Sequence, residues 1–185
     1  MNIDSQSGLL NGCEYCHSPN QDERPDNMEI SGVVIHNISL PPGEFGGQWI
    51  NDLFLNQLDP TAHPFFIDIA ELRVSSHILI RRNGELKQYV PFNKRAWHAG
   101  ASSWDGRERC NDFTIGIELE GTDDQSFEII QYQQLSKLIR ALCKTYPSLD
   151  KNALKGHCDI APERKTDPGP FFDWSFLRSL LKTDS

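Results

Sequence analysis

Residues 155–170 read KGHCDIAPERKTDPGP, a short polar stretch that gathers imidazole, thiol, carboxylate and ammonium groups in one place. Pro162, Pro168 and Pro170 restrict φ there, so less entropy is lost when the side chains are held in fixed positions. Composition alone would fit a rigid surface connection equally well. The balance changes with His36, which ends a β-branched run at residues 30–37, and with the carboxylates of residues 113–120, FTIGIELE. Two imidazoles and a carboxylate make a three-ligand zinc set with one open position. Residue types leave two choices open. Asp159 and Asp167 both lie close enough to His157 to serve as the acidic ligand. Glu118 and Glu120 fall on the same side of an extended strand, so alternation does not select a general base.

The elements that must position these groups are legible from periodicity and turn signals. Residues 30–37 predict a buried strand closed by the Pro41-Pro42-Gly43 turn. Trp49, Ile50, Leu53, Phe54 and Leu58 recur at helical spacing, and a second short helical stretch is predicted to run to about Leu72. Asn83-Gly84 between residues 76–82 and 85–90 predicts a β-hairpin. Residues 113–120 alternate, with Ile115, Ile117 and Leu119 on one face and Glu118 and Glu120 on the other. Leu135, Leu138, Ile139 and Leu142 mark an amphipathic helix over about 127–146. Asp173 can cap a last helix carrying Phe176, Leu177 and Leu180. The predicted fold is a mixed α/β domain with a central mixed β-sheet flanked by helices. Residues 1–27 read as a polar, loosely structured lead-in to a domain at 28–185.

Composition bounds the function. The chain has 185 residues, 38% hydrophobic and 24% charged, enough for one domain with a real core. A net charge of −8 argues against a general nucleic-acid binder, which draws its affinity from Lys and Arg. No stretch approaches the roughly eighteen apolar residues of a membrane span, and the first residues lack the pattern of an export signal. Five cysteines, an odd number, do not form a disulfide framework. A cytoplasmic protein, working as a monomer away from membranes, is expected.

Four segments together carry a family resemblance: VIHNIS at 34–39, AWHAG at 96–100, GIELEG at 116–121, and GHCDIAP at 156–162 leading into KTDPG at 165–169. In order and spacing they resemble the zinc-dependent N-acetylmuramoyl-L-alanine amidases. Within that family the chain is similar to the cytoplasmic branch that cleaves 1,6-anhydro-N-acetylmuramyl peptides during cell-wall recycling. The resemblance implies a mixed α/β fold, one zinc ion held by His36, His157 and Asp167, Glu118 as general base and Lys165 as oxyanion stabiliser. It implies a small muropeptide substrate, cut at the amide between the lactyl group and L-alanine. Trp97 would stack on the anhydro sugar with its indole N–H left available, Arg73 and Arg109 would meet a stem-peptide carboxylate, and Asn37 and Ala161 would complete the substrate contacts.

Other readings compete. Trp97 and His98 fit a buried core equally well on residue type. Cys13-Glu14-Tyr15-Cys16-His17 matches a haem-attachment spacing, but without an export signal the cysteines are expected as free thiols. Cys158, next to His157 in a stretch read as extended, is expected to point away from the ligands. An amidase acting on intact peptidoglycan, and a muropeptide-binding module without catalysis, are the alternative functions.

Overall fold

The computed structural model describes residues 1–182. The strands are β1 (Ile3–Asp4), β2 (Leu9–Leu10), β3 (Glu14–Tyr15), β4 (Gln21–Glu23), β5 (Gly32–Ile38), β6 (Ile78–Ile80), β7 (Leu86–Gln88), β8 (Lys94–Ala96), β9 (Ser103–Trp104), β10 (Arg107–Glu108), β11 (Thr114–Glu120) and β12 (Leu154–Gly156). The helices are α1 (Trp49–Phe54), α2 (Phe66–Ile69), α3 (Ile129–Thr145), α4 (His157–Ile160) and α5 (Trp174–Lys182), with a 3₁₀ turn at Cys110–Asp112. Six strands form one mixed sheet in the order β12-β5-β11-β6-β7-β3. The pairs β12/β5, β5/β11 and β11/β6 are parallel, and β6/β7 is the antiparallel hairpin that Asn83-Gly84 predicts.

Strand alternation divides the interior. Val33, Ile35, Ile78, Ile80, Ile115, Ile117 and Leu119 turn one face of the sheet onto Leu135, Leu138, Ile139 and Leu142 of α3 and Leu177 and Leu181 of α5. α3 starts at a capping box in which the Glu128 amide donates to Gln131 Oε1 at 2.9 Å. In α5 the Phe176 amide donates to Asp173 Oδ1 at 2.8 Å, the cap expected from the sequence. The opposite face packs Leu79 and Tyr89 against Ile50, Leu53 and Phe54 of α1, and Val34 against Ala99, Cys110, Phe113 and Ile160. It also carries His36, His77, Thr114, Glu118 and Glu120 under a cover of loops.

Residues 1–27 are not the loosely structured lead-in that their polarity suggests. Ile3 and Leu10 enter the main core, β3 extends the sheet at β7, and β4 pairs with β8. The buried Gln88 amide joins this arm to the sheet, accepting from Leu10 N at 2.8 Å and donating to Gly8 O at 3.0 Å. Arg24 donates to the carbonyls of Asn111, Asp112 and Thr114 at 2.9–3.1 Å. The arm is held by backbone and long polar groups rather than by an apolar face, so periodicity does not reveal it. Smaller differences lie at element ends: α1 stops at Phe54, short of Leu58, because Asn56 takes a left-handed φ of 58°.

Glu120 is fully committed. Oε1 accepts from Gly46 N at 2.7 Å and Arg81 Nη1 at 2.8 Å, and Oε2 accepts from Arg82 N at 3.2 Å. Both members of the Glu120–Arg81 pair are buried. Removing one partner of such a pair leaves the other charge without compensation. Glu120→Ala is therefore expected to lower stability by about 3–5 kcal/mol in urea denaturation. A loss below about 1 kcal/mol would show that Arg81 finds other partners.

Candidate metal centre and active-site cavity

The site lies at the carboxyl ends of three adjacent parallel strands, where open α/β sheets hold their ligands. His36 on β5 stands directly beside Glu118 on β11 in the strand register. His157 follows β12 immediately as the first residue of α4. Residues 157–160 form a helical turn rather than the extended stretch expected, so Cys158 is rotated away from His157 without being placed opposite to it. Asp159 Oδ2 accepts from Gly156 N at 2.7 Å and caps this turn, which removes it as a ligand candidate. Asp167 enters from the following loop, fastened by a hydrogen bond from Cys158 N to Asp167 O at 2.9 Å. The approach is close at Gly156, where a Cβ would lie 2.7 Å from Pro168 Cδ.

Three donor atoms converge. His36 Nδ1 is 3.0 Å from both His157 Nδ1 and Asp167 Oδ2, and His157 Nδ1 is 3.2 Å from Asp167 Oδ2. His157 Nε2 lies 3.1 Å from Ala99 O. A carbonyl can only accept, so the His157 proton sits on Nε2 and Nδ1 presents a lone pair to the cluster. Tetrahedral coordination at about 2.0–2.1 Å places ligand atoms roughly 3.3 Å apart, close to these separations. Two imidazoles and a carboxylate that leave a side open fit zinc in number, type and spacing.

Burial dominates the electrostatics. It brings the His36 imidazole down to about 4, against a smaller opposing effect of the neighbouring Asp167 carboxylate. His98 and His77 are also driven well below the usual histidine range by burial first, then by neighbouring positive groups. Burial alone would raise Asp167, but the His157 and His36 rings beside its carboxylate hold it well below the ordinary carboxylate range. Glu118 is raised well above that range by burial, then by the charge of Asp167, with Lys165 opposing. Its side chain as a whole is half-buried, yet Oε2 is screened from solvent and has no hydrogen-bond partner among the described residues.

His36, Asn37, Glu118, His157, Lys165 and Asp167 all line one cavity of about 220 Å³, whose apolar wall includes Leu53, Phe54, Leu72 and Val74. A wider cleft of about 750 Å³ shares Asn37, Lys165 and Asp167 with it and adds Asp123, Asp124 and Arg164. Other sequence candidates lie outside both linings. Trp97 is half-buried. Arg73 is exposed next to Leu72 and Val74 and pairs with Glu71 at 3.4 Å. Arg109 is exposed, has a φ of 61° and pairs with Asp112 at 3.2 Å. Ala161 is buried, and its carbonyl accepts from the amides of Arg164 and Lys165 at 3.0 Å each. Cys13 and Cys16 are free thiols flanking β3 on either side, and burial pushes Cys13 up to about 11.

Sequence reasoning passes over Asp123, whose Oδ1 accepts from Asn37 Nδ2 at 2.7 Å, and Arg164, which donates to the carbonyls of Ala99 and Ala101 at 2.7 and 2.8 Å. Neither has a local signal, since each is selected by contacts distant in the chain.

The mixed sheet with a His/His/Asp cluster at the carboxyl edge of its parallel strands fits a hydrolase of the peptidoglycan amidase type, and residues 26–170 match the family described as N-acetylmuramoyl-L-alanine amidase. The chain belongs to that family. It is 59% identical over 180 residues to the 1,6-anhydro-N-acetylmuramyl-L-alanine amidase AmpD of Escherichia coli, covering 97% of this chain and 98% of that one. A crystal structure of a selenomethionine AmpD derivative superposes with a TM-score of 0.94 at 59% identity, over 98% of this chain and 99% of that one. The amidase AmiD of E. coli, in complex with anhydro-N-acetylmuramic acid-L-Ala-D-gamma-Glu-L-Lys, matches with a TM-score of 0.60 at 30% identity, over 85% of this chain and 60% of that one. Among the described residues no helix is long and apolar enough to cross a membrane.

The buried neutral histidines give the metal-free protein a defined pH response. A histidine whose folded pKa lies below its unfolded value of 6.5 contributes stability above that pH and loses it as the pH falls, for His36 through a window reaching down to about 4. His77 and His98 act in the same direction. Glu118 acts oppositely above 4.5, but it is one group against three. The thermal midpoint of the metal-free protein is expected to rise between pH 5 and pH 7. A flat or falling profile in scanning calorimetry would contradict neutral burial of these rings.

Proposed function

We propose that this chain is a zinc-dependent amidase that hydrolyses the bond between the lactyl group of 1,6-anhydro-N-acetylmuramic acid and the L-alanine of the stem peptide, in cytoplasmic recycling of cell-wall fragments. The observation that carries the chemistry is the convergence of His36 Nδ1, His157 Nδ1 and Asp167 Oδ2 at 3.0–3.2 Å beside an unpaired, buried Glu118 oxygen. The named activity of the relatives supports the choice of substrate. Five free cysteines support a reducing compartment. The catalytic unit is residues 28–185, acting as a monomer, with residues 1–27 laid against it.

His36, His157 and Asp167 would hold zinc, which when bound would supply a Lewis acid able to lower the pKa of water and polarise a carbonyl. Glu118 takes the proton from the water that attacks the lactyl carbonyl carbon. A buried carboxyl with a raised pKa accepts that proton readily and, once protonated, can deliver it to the leaving nitrogen as the C–N bond breaks. Lys165, on the same cavity wall, stabilises the negative charge that develops on the carbonyl oxygen. The apolar wall of Leu53, Phe54, Leu72 and Val74 limits water around the reacting atoms. Asn37, held by Asp123, stands where the narrow cavity meets the wider cleft and is assigned to the substrate. Trp97, Ala161, Arg73 and Arg109 remain proposed substrate contacts, the two arginines through their exposed guanidinium groups toward a stem-peptide carboxylate.

Purified protein is expected to hold close to one zinc per chain by elemental analysis, and Glu118→Gln should keep that zinc while losing turnover by roughly 10²-fold or more. Full amidase activity in the chelator-treated, metal-free protein, or unchanged turnover in Glu118→Gln, would refute the mechanism. Anhydro-muropeptides should be cleaved with higher kcat/KM than their reducing counterparts. Equal rates, or efficient release of peptides from intact peptidoglycan, would favour a wall-degrading amidase instead.

A further inference from the structure

The loop at residues 98–99 approaches both histidines of the cluster. The backbone amides of His98 and Ala99 both donate to Asn111 Oδ1, at 3.1 and 2.8 Å. Ala99 O lies 3.1 Å from His157 Nε2, and His98 Nδ1 lies 3.0 Å from His36 Nε2. The His98 ring meets His36 edge to face, with centroids 5.1 Å apart, and has His77 as a further ring neighbour at 5.8 Å. Its position requires glycine on the sheet beneath it. A Cβ on Gly116 would fall 2.4 Å from His98 Cγ.

Proton directions along this chain follow from the group at its far end. The Cys110 carbonyl can only accept, and Thr114 Oγ1 lies 2.6 Å from it, so the single hydroxyl proton is committed there. Toward His98 Nε2, at 3.3 Å, the hydroxyl must then accept, and Nε2 carries hydrogen. Among the described residues no carboxylate hydrogen-bonds or ion-pairs with the His98 ring, and a buried cation would lack compensation, so the ring is neutral and Nδ1 is an acceptor. His98 Nδ1 therefore receives the proton of His36 Nε2, which leaves the lone pair of His36 Nδ1 facing His157 Nδ1 and Asp167 Oδ2.

We infer that His98, Thr114 and Asn111 are positioning residues that set both cluster histidines as Nδ1 donors for the metal, His36 through the Cys110–Thr114–His98 relay and His157 through the Ala99 carbonyl. The inference rests on the metal-site reading of the cluster. Outer partners that fix the tautomer of a ligating histidine commonly contribute 10- to 100-fold to metal affinity. In Thr114→Val the shape is kept but the acceptor is lost, so His98 is free to place its proton on Nδ1 and oppose His36. Thr114→Ser restores the hydroxyl.

The test is zinc affinity by competition with a chromophoric chelator, together with ¹⁵N–¹H correlation of the imidazoles in the metal-free protein. Thr114→Val is expected to bind zinc roughly 10-fold or more weakly. Thr114→Ser should stay within about 3-fold of the parent, and His36 and His98 should both carry hydrogen on Nε2 in the parent. Asn111→Asp, which keeps an acceptor for the two amides, should retain more zinc affinity than Asn111→Ala. Parent-like zinc affinity in Thr114→Val, or hydrogen on Nδ1 of His36 in the metal-free parent, would overturn the relay while leaving the metal site standing. A parent protein that takes up no zinc would overturn both.

Discussion

Parallel pairing of β5 with β11 and β12 is the constraint on which the rest depends. It places His36 beside Glu118 and brings the chain out of β12 directly into His157, so two imidazoles and a carboxylate meet at one edge of the sheet. A slip of one residue would exchange faces, because side chains alternate with a period of two. Val33, Ile35, Ile115, Ile117 and Leu119 prevent that slip, since each would leave the packing against α3 for a polar environment. Burial on one face thus sets the register of the chemistry on the other.

That second face carries more polar groups than a covered sheet surface usually bears, and each must be satisfied. Glu120 and Glu118 show the two outcomes on a single strand. Glu120 takes hydrogen bonds from Arg81, Arg82 and Gly46 and serves the architecture. Glu118 has an oxygen with no partner and a raised pKa, which destabilises its ionised form and suits it to proton transfer. His77 shows a third case, a histidine committed to structure: Gly116 N donates to its Nδ1 at 3.0 Å, and its Nε2 lies 3.1 Å from Lys94 O. The imidazoles on this face thus divide between the His/His/Asp cluster and structural support, although they are chemically the same group.

The net charge of −8 describes the whole surface, whereas the cleft concentrates opposite signs at short range. Arg164 and Lys165 stand across from Asp123 and Asp124 on its walls. An acidic chain can hold an anionic peptide through such local groups, while the background charge still disfavours extended polyanions.

Much of the candidate site was legible in the chain because its clustered residues and their neighbours sit in short segments with distinctive types: His36 after a β-branched run, GIELEG around Glu118, and GHCDIAP through KTDPG. The hairpin, the central strands and α3 were legible from turn chemistry and periodicity, which are local properties. Residue types could not separate Asp167 from Asp159 or Glu118 from Glu120. Those distinctions depend on partners far away in sequence: the Gly156 amide that Asp159 caps within its turn, and the Arg81 guanidinium that occupies Glu120. The order of the N-terminal arm and the approach of His98 and Ala99 to the two imidazoles were likewise decided by tertiary structure. A hydrogen bond to a distant carbonyl leaves no periodicity behind, whereas burial against a helix does. The sequence by itself determined which chemical groups were available and which strands would carry them. Only the fold decided which were free to react, because that freedom is set by which neighbours arrive to satisfy each buried polar atom.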